Sequence, residues 1–243
     1  MRLWRAAART PAAEAPRDRL AKVAPLPDPQ PAAVPAFRSW ALADLLRRRE
    51  ADRRWRVLDL GSANHNNMSF FLGRGASYVV EALYATTAPC RVGGRFDAGS
   101  MRNLPDLLRF PPDARFDAIL AWDLLDYLGA AGLAVLGERL APHCHPRTLL
   151  HAMVAREGKL PAQPARWEIV DEQTIRQWPQ GGPLLDAVRL TDASLQRALG
   201  AFRVDRSYLL QNGLQEFLLE PGAPSLPPTV AGPVRRRRPS GKF

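Results

Sequence analysis

Cysteine is scarce in this sequence: Cys90 and Cys144 are the only two among 243 residues. Two are too few for a disulfide framework in a chain of this size, which fits a reducing compartment. Lysine is nearly as rare. Only Lys22, Lys159 and Lys242 occur, so 31 of the 34 basic residues are arginine. With 23 prolines and abundant alanine, that bias reads as a GC-rich genome rather than selection for phosphate binding. No apolar run approaches the roughly 18 residues that cross a bilayer, which excludes a transmembrane helix. The arginines of residues 1–22 are interleaved with alanines and acids and lead into no apolar stretch, so they are not a secretory signal. Glu14 and Asp18 speak against a mitochondrial presequence. A cytoplasmic protein without membrane insertion is expected.

A net charge of +10 suggests nucleic acid until it is located. Residues 1–22 carry six basic and two acidic side chains, and residues 233–243 carry five basic and none acidic. With +4 and +5 placed at the ends, residues 23–232 keep only +1 of the +10. The run Arg235-Arg236-Arg237-Arg238 offers a surface to RNA, DNA or anionic lipid, but a solvated tail is the favoured reading. Prolines 25, 27, 29, 31 and 35 punctuate an extended segment, and prolines 224, 227 and 228 do the same at the far end. Three regions are therefore expected: an Arg/Ala/Pro-rich segment over 1–36, a folded domain over 37–220, and a basic, Pro-rich tail over 221–243.

Within the domain, strand and helix patterns alternate. Trp40, Leu42, Leu45 and Leu46 form a helical stripe. Residues 55–60 form a short apolar strand, and a helix carrying Phe70-Phe71-Leu72 follows. Residues 77–80 predict a buried strand ending at Glu81, and a further strand is placed near 95–98. Residues 116–122 are a strand ending at Asp123; a helix through Leu133, Leu136 and Leu140 leads to another strand over 148–154. Thr191 or Asp192 caps a helix with apolar Leu195, Ala198 and Leu199. This alternation implies a doubly wound, mostly parallel sheet. Residues 202–210 and 214–219 differ, because Gln211-Asn212-Gly213 between them is a hairpin signal. The expected class is α/β: a Rossmann-like sheet of seven strands that ends in an antiparallel hairpin.

Val57-Leu58-Asp59-Leu60-Gly61 resembles the first motif of class I S-adenosylmethionine-dependent methyltransferases, an apolar strand followed by an acid, one residue and a glycine. Glu81 stands where that family closes its second strand with an acid. Phe116-Asp117-Ala118-Ile119-Leu120-Ala121-Trp122-Asp123 looks like its fourth strand, and the terminal hairpin looks like its reversed seventh strand. More narrowly, residues 122–128 and 206–216 resemble a group of bacterial methyltransferase-like proteins. The resemblance implies S-adenosylmethionine as cofactor and a methyl acceptor, small molecule or protein, that the residues do not name. It assigns cofactor contacts to Asp59, Gly61, Ser62, Ala63, Glu81 and Trp122. Glycine lets the backbone lie against the ligand, and an acid closing the second strand accepts the ribose hydroxyls. Asp123 and Tyr127, at the carboxyl end of the fourth strand, are the catalytic candidates. A helix-capping aspartate and a core tyrosine are the bland alternatives.

The loop departs from the family pattern, with Ala63 and His65 at positions where it has glycine. His65 places a ring where backbone usually grazes the cofactor, and Asn66 and Asn67 tolerate a left-handed turn. The rival reading is therefore an inactive methyltransferase-fold module whose basic tails bind nucleic acid or an acidic partner. Asp123-Leu124-Leu125-Asp126 lacks the Asn/Asp-Pro-Pro-aromatic motif of base amino-methyltransferases. His143-Cys144-His145 is not expected to hold a metal, since consecutive side chains diverge. Residues 157–190, with Trp167, Trp178 and Asp171-Glu172, form a long insertion expected to cover the substrate.

Overall fold

The computed structural model describes residues 34–222 apart from 51–52, 89–90, 93–94, 104–106, 157 and 187–188. In chain order the elements are β1 (Ala36–Arg38), α1 (Trp40–Arg47), β2 (Arg56–Asp59), α2 (His65–Leu72), β3 (Ser77–Val80), α3 (Leu83–Thr86), β4 (Arg91–Val92), β5 (Arg95–Phe96) and α4 (Ala98–Arg102). There follow β6 (Phe116–Trp122), α5 (Leu125–Leu140), β7 (Cys144–Ala155), β8 (Lys159–Pro161), β9 (Arg166–Ile169), β10 (Thr174–Trp178), β11 (Leu184–Asp186), α6 (Asp192–Leu199), β12 (Phe202–Leu209) and β13 (Leu214–Pro221).

The principal sheet has the order β12-β13-β7-β6-β2-β3. β3, β2, β6 and β7 pair in parallel, and β13 alone runs against its neighbours. Among the described residues this sheet has six strands, not seven. The strand expected near 95–98 is instead β5, which pairs only with β4 in a two-residue ladder. With Asp97 capping α4 through Ser100 N, the chain turns into helix before it can extend the sheet. β3 is consequently the edge strand beside β2, and its residues are half-buried rather than buried as expected.

Period-two alternation splits the core between the faces of the sheet. Leu58, Ile119, Ala121, Leu150 and Phe217 face α5 and α6, whereas Val57, Ala118, Leu120 and Trp122 face α1 and α2. The helices are fixed locally as well as by burial. Ser39 caps α1 by accepting from Leu42 N, and Thr191 and Ser194 form a reciprocal capping box on α6. Gly137 lets α5 meet α6 closely: a Cβ there would lie 2.1 Å from Leu199 O. The β12–β13 hairpin turns as expected at Asn212-Gly213, where Gly213 has φ +83°. Within the inserted segment, β9 and β10 join β1 in a three-stranded antiparallel sheet, and β8 pairs with β11. No helix among the described residues is long and apolar enough to cross a membrane.

Candidate functional site

At the carboxyl ends of β2 and β6 the chain has left β2 in opposite directions, first toward β3 and later toward β6. Doubly wound sheets bind ligands at such a switch point. A cavity of about 210 Å³ lies there, lined by Gly61, Ser62, Tyr84, Trp122, Asp123 and Gln163 among others.

Asp59 is fully buried at the base of this site. Its Oδ1 accepts from Gly61 N at 2.8 Å and from Trp122 Nε1 at 2.8 Å, and its Oδ2 accepts from the Tyr78 hydroxyl. Burial raises its carboxyl above the ordinary range, against hydrogen bonds from Tyr78, Gly61, Trp122 and Asn67 that favour charge. Asp59 thus holds the loop, and it spends its acceptors on its own chain. Tyr78, its stacked neighbour Phe71 and Trp122 complete the setting.

Trp122 has φ +51°, a left-handed backbone that costs a bulky residue about 1–2 kcal/mol. The indole it presents lies over Gly61, where a Cβ would meet Trp122 Cδ1 at 2.7 Å. Gly61 does permit a close approach, but what approaches is this indole. The left-handed residue is accordingly Trp122, not Asn66 or Asn67, which are helical residues of α2. Asn64 caps that helix. His65 is exposed on its first turn and, like Ala63 and Glu81, does not line the cavity. Trp122, one of the expected cofactor contacts, lies against Gly61 and lines the cavity, and the His65 ring does not line it. Glu81 sits half-buried just past β3, its N–H bonded to Asp59 O at 2.8 Å and its Oε1 accepting from Thr86 Oγ1 at 3.1 Å.

The inserted segment closes the site from above. Asp123, buried after β6, accepts from Ala165 N and Trp167 Nε1, both at 2.9 Å. It is neither a helix cap nor an open base but the anchor of the cover. Burial pushes its carboxyl up to about 6 despite those hydrogen bonds. Trp167 stacks on Trp122 with ring centroids 6.0 Å apart and planes 4° from parallel. The Tyr127 hydroxyl bonds Pro161 O at 3.1 Å and Gln163 O at 3.0 Å, and the Tyr84 hydroxyl bonds Ala162 O at 2.6 Å. From the other side, Asn64 and Asn67 donate to Trp167 O, and Asn67 accepts from Ile169 N at 2.7 Å. Tyr84 and Asn67 were not legible as site residues, since the only signal for them was polar or aromatic character beside a motif, whereas Trp167 lies in the insertion expected to form the cover. Trp178, in the same segment, donates to Glu168 at 2.8 Å.

The other sequence candidates lie elsewhere. His143 bonds Ala114 O, Cys144 Sγ donates to Leu140 O, and His145 bonds Asp117, so the three side chains diverge. Burial pushes the Cys144 thiol up to about 12. Cys90 and both tails lie outside the described residues.

No known sequence family and no curated protein sequence matches the chain. Similar solved structures include 1,6-didemethyltoxoflavin-N1-methyltransferase of Burkholderia thailandensis (16% identity, TM-score 0.41, covering 75% of this chain and 77% of that one). An S-adenosylmethionine-dependent methyltransferase of Clostridium acetobutylicum is 10% identical, with a TM-score of 0.40 and 75% and 92% covered. An amino pentose methyltransferase from Micromonospora echinaspora is 14% identical, with a TM-score of 0.36 and 76% and 92% covered. By its own strand order the chain has a doubly wound, mostly parallel α/β sheet with β13 reversed between β12 and β7.

Proposed function

We propose that this protein is an S-adenosylmethionine-dependent methyltransferase, cytoplasmic, whose acceptor is selected beneath the inserted segment. The observation that carries this reading is the cavity at the switch point between β2 and β6, bordered by Gly61, Ser62 and Tyr84. The fit is of the adenosine half. Tyr84 offers a ring and Ser62 a hydroxyl inside the cavity, and Glu81, half-buried just past β3 and outside its lining, is the carboxylate for ribose hydroxyls once the site opens. The methionine half has no room while Trp122 lies on Gly61, and 210 Å³ falls short of the ~300–1,000 Å³ of usual small-ligand sites. Admission therefore requires the cover to withdraw and take Trp167 off Trp122.

When bound, S-adenosylmethionine supplies an electrophilic methyl group. The chain's part is alignment and exclusion of water. The cover performs the exclusion, through the bonds of Tyr84, Tyr127 and Asp123 to its backbone. Asp123 is the candidate proton acceptor. It takes that role where the methyl acceptor's own proton-bearing group displaces the Ala165 or Trp167 donor, the Tyr84 and Tyr127 bonds still holding the cover. Tyr127 holds the cover through its hydroxyl.

A second reading, the inactive interaction module, is favoured by one observation: Asp59 receives donors from its own chain, and an indole occupies the approach to Gly61. Calorimetry of the full chain with S-adenosylmethionine and S-adenosylhomocysteine separates the two. Glu81→Ala removes hydrogen bonds to a charged acceptor, each about 1.5–3 kcal/mol, so affinity is expected to fall at least about tenfold. Absence of binding at millimolar ligand, both in the native chain and in a variant with a weakened cover, establishes the second reading.

A further inference from the structure

A second cavity, of about 350 Å³, shares no lining residue with the first. Four arginines, Arg38, Arg47, Arg49 and Arg74, line it together with Trp40 and Glu172. Three separate elements bring them together: β1, α1, and the turn following α2. Two of the charges are answered within the chain. Arg74 pairs with Glu172 at 2.7 Å, and Arg47 pairs with Asp44. Arg38 and Arg49 make no ion pair among the described residues. Arg49 Nη2 donates to Arg74 O, while its Nε is buried without a hydrogen-bond partner. That Nε is closed to solvent, so an incoming acceptor oxygen meets Arg49 through the part of its side chain that lines the cavity.

The aromatic component is equally specific. Trp40 is 44% exposed although it opens an amphipathic helix whose Leu42 and Leu45 are buried. The Arg38 guanidinium lies 3.7 Å from its ring centroid, which holds the ring at the mouth of the cavity. A guanidinium cluster selects phosphate or carboxylate, and an exposed indole beside it selects a flat ring joined to that anion. A volume of 350 Å³ falls within the usual range for small-ligand sites of ~300–1,000 Å³.

We propose that this cavity is a nucleotide-phosphate site, in which Arg38 and Arg49 take the phosphate and Trp40 stacks on the base. The phosphate and base come either from a free mononucleotide or from one unit of a single strand.

The full chain with Arg235, Arg236, Arg237 and Arg238 replaced by glutamine removes the tail as a competing polycation. In that background, calorimetry with adenosine monophosphate and with inorganic phosphate, and anisotropy with a labelled single-stranded RNA dodecamer, read the site directly. Adenosine monophosphate is expected to bind more tightly than phosphate. Arg38→Gln with Arg49→Gln should weaken it at least about tenfold. Trp40→Ala should weaken the nucleotide about fivefold or more but leave phosphate unchanged, and Trp40→Phe should restore most of the loss. Circular-dichroism melts confirm folding, which exposed Trp40 and Arg38 do not support. RNA binding far above mononucleotide binding, with a salt slope reduced by the arginine replacements, identifies the strand as the source; equal binding identifies the free nucleotide. The proposal is overturned if phosphate and nucleotide bind equally and Trp40→Ala changes neither. It is overturned as well if all binding disappears with the four tail arginines, or if Arg38→Gln with Arg49→Gln has no effect.

Discussion

Replacing Asp123 by alanine tests whether the inserted segment is held over the sheet by this one carboxylate. Ala165 N and Trp167 Nε1 each donate to it over 2.9 Å in a buried setting. A hydrogen bond to a charged group contributes about 1.5–3 kcal/mol. Two of them give roughly 3–6 kcal/mol, set against the desolvation that lifts the carboxyl to about 6. That rise offsets about 3 kcal/mol, so the net loss in closing the cover is at most about 3 kcal/mol, or up to roughly 150-fold faster exchange of the local amides. Hydrogen exchange read by mass spectrometry should show this acceleration over residues 163–169, with β6 and β7 unchanged. The Trp122–Trp167 stack and the Tyr127, Tyr84 and Asn67 bonds remain, so exchange should stay slower than in a free peptide. If cover closure limits cofactor entry, affinity for S-adenosylhomocysteine rises in the same variant. Unchanged exchange over 163–169 would refute Asp123 as the anchor.

Asp126 gives a stability prediction. Burial pushes its carboxyl up to about 8, its Oδ2 accepts from Ala155 N, and its Oδ1 has no partner. Between pH 4 and 8 the unfolded chain ionises this group while the folded chain keeps it protonated. Stability is therefore lost as pH rises, by roughly 1.4 kcal/mol per pH unit from this group. Asp126→Asn should flatten the melting profile between pH 5 and 7, and an unchanged slope would exclude the assignment. Gly61→Ala drives a Cβ onto Trp122 Cδ1 and should destabilise the fold by about 1–3 kcal/mol in urea denaturation, with altered tryptophan fluorescence. Gly137→Ala meets a backbone oxygen, which cannot swing aside, so a larger drop in melting temperature is expected than for Gly61→Ala. Deleting residues 1–33 and 224–243 should leave the thermal midpoint nearly unchanged, because the motifs and both core clusters fall between them; a cooperative loss of folding would contradict that boundary.

The fold was legible where local chemistry fixes it. Residues 116–122 are apolar at every position but Asp117 because the strand is covered on both faces, and that pattern needs no partner to be read. Thr191 as a cap and Gly213 as a turn residue are likewise dictated within a few positions of themselves. The strand expected near 95–98 failed because a two-residue ladder has too little apolar length to claim a place in the sheet. In the site, sequence placed Asp59, Gly61 and Asp123 at the correct strand ends, but their partners come from other parts of the chain. Ala165 lies 42 residues from Asp123, and Trp122 lies 63 from Asp59. The insertion at 157–190 was expected as a cover, but short strands such as β8 and β9 carry no periodicity that would show which of its residues meet Asp123.

By itself, then, the sequence determined the alternation of strands and helices in the principal sheet and the reversal at the hairpin, because dihedral preference and hydrophobic period act over short stretches. Only the tertiary structure decided that an indole rather than open space lies against Gly61, that Asp123 holds a cover, and that Arg38, Arg49 and Arg74 share one cavity with Trp40. Those outcomes depend on which distant side chains meet in a packed interior, and side chains compete for the same space and the same acceptors only after the sheet has assembled.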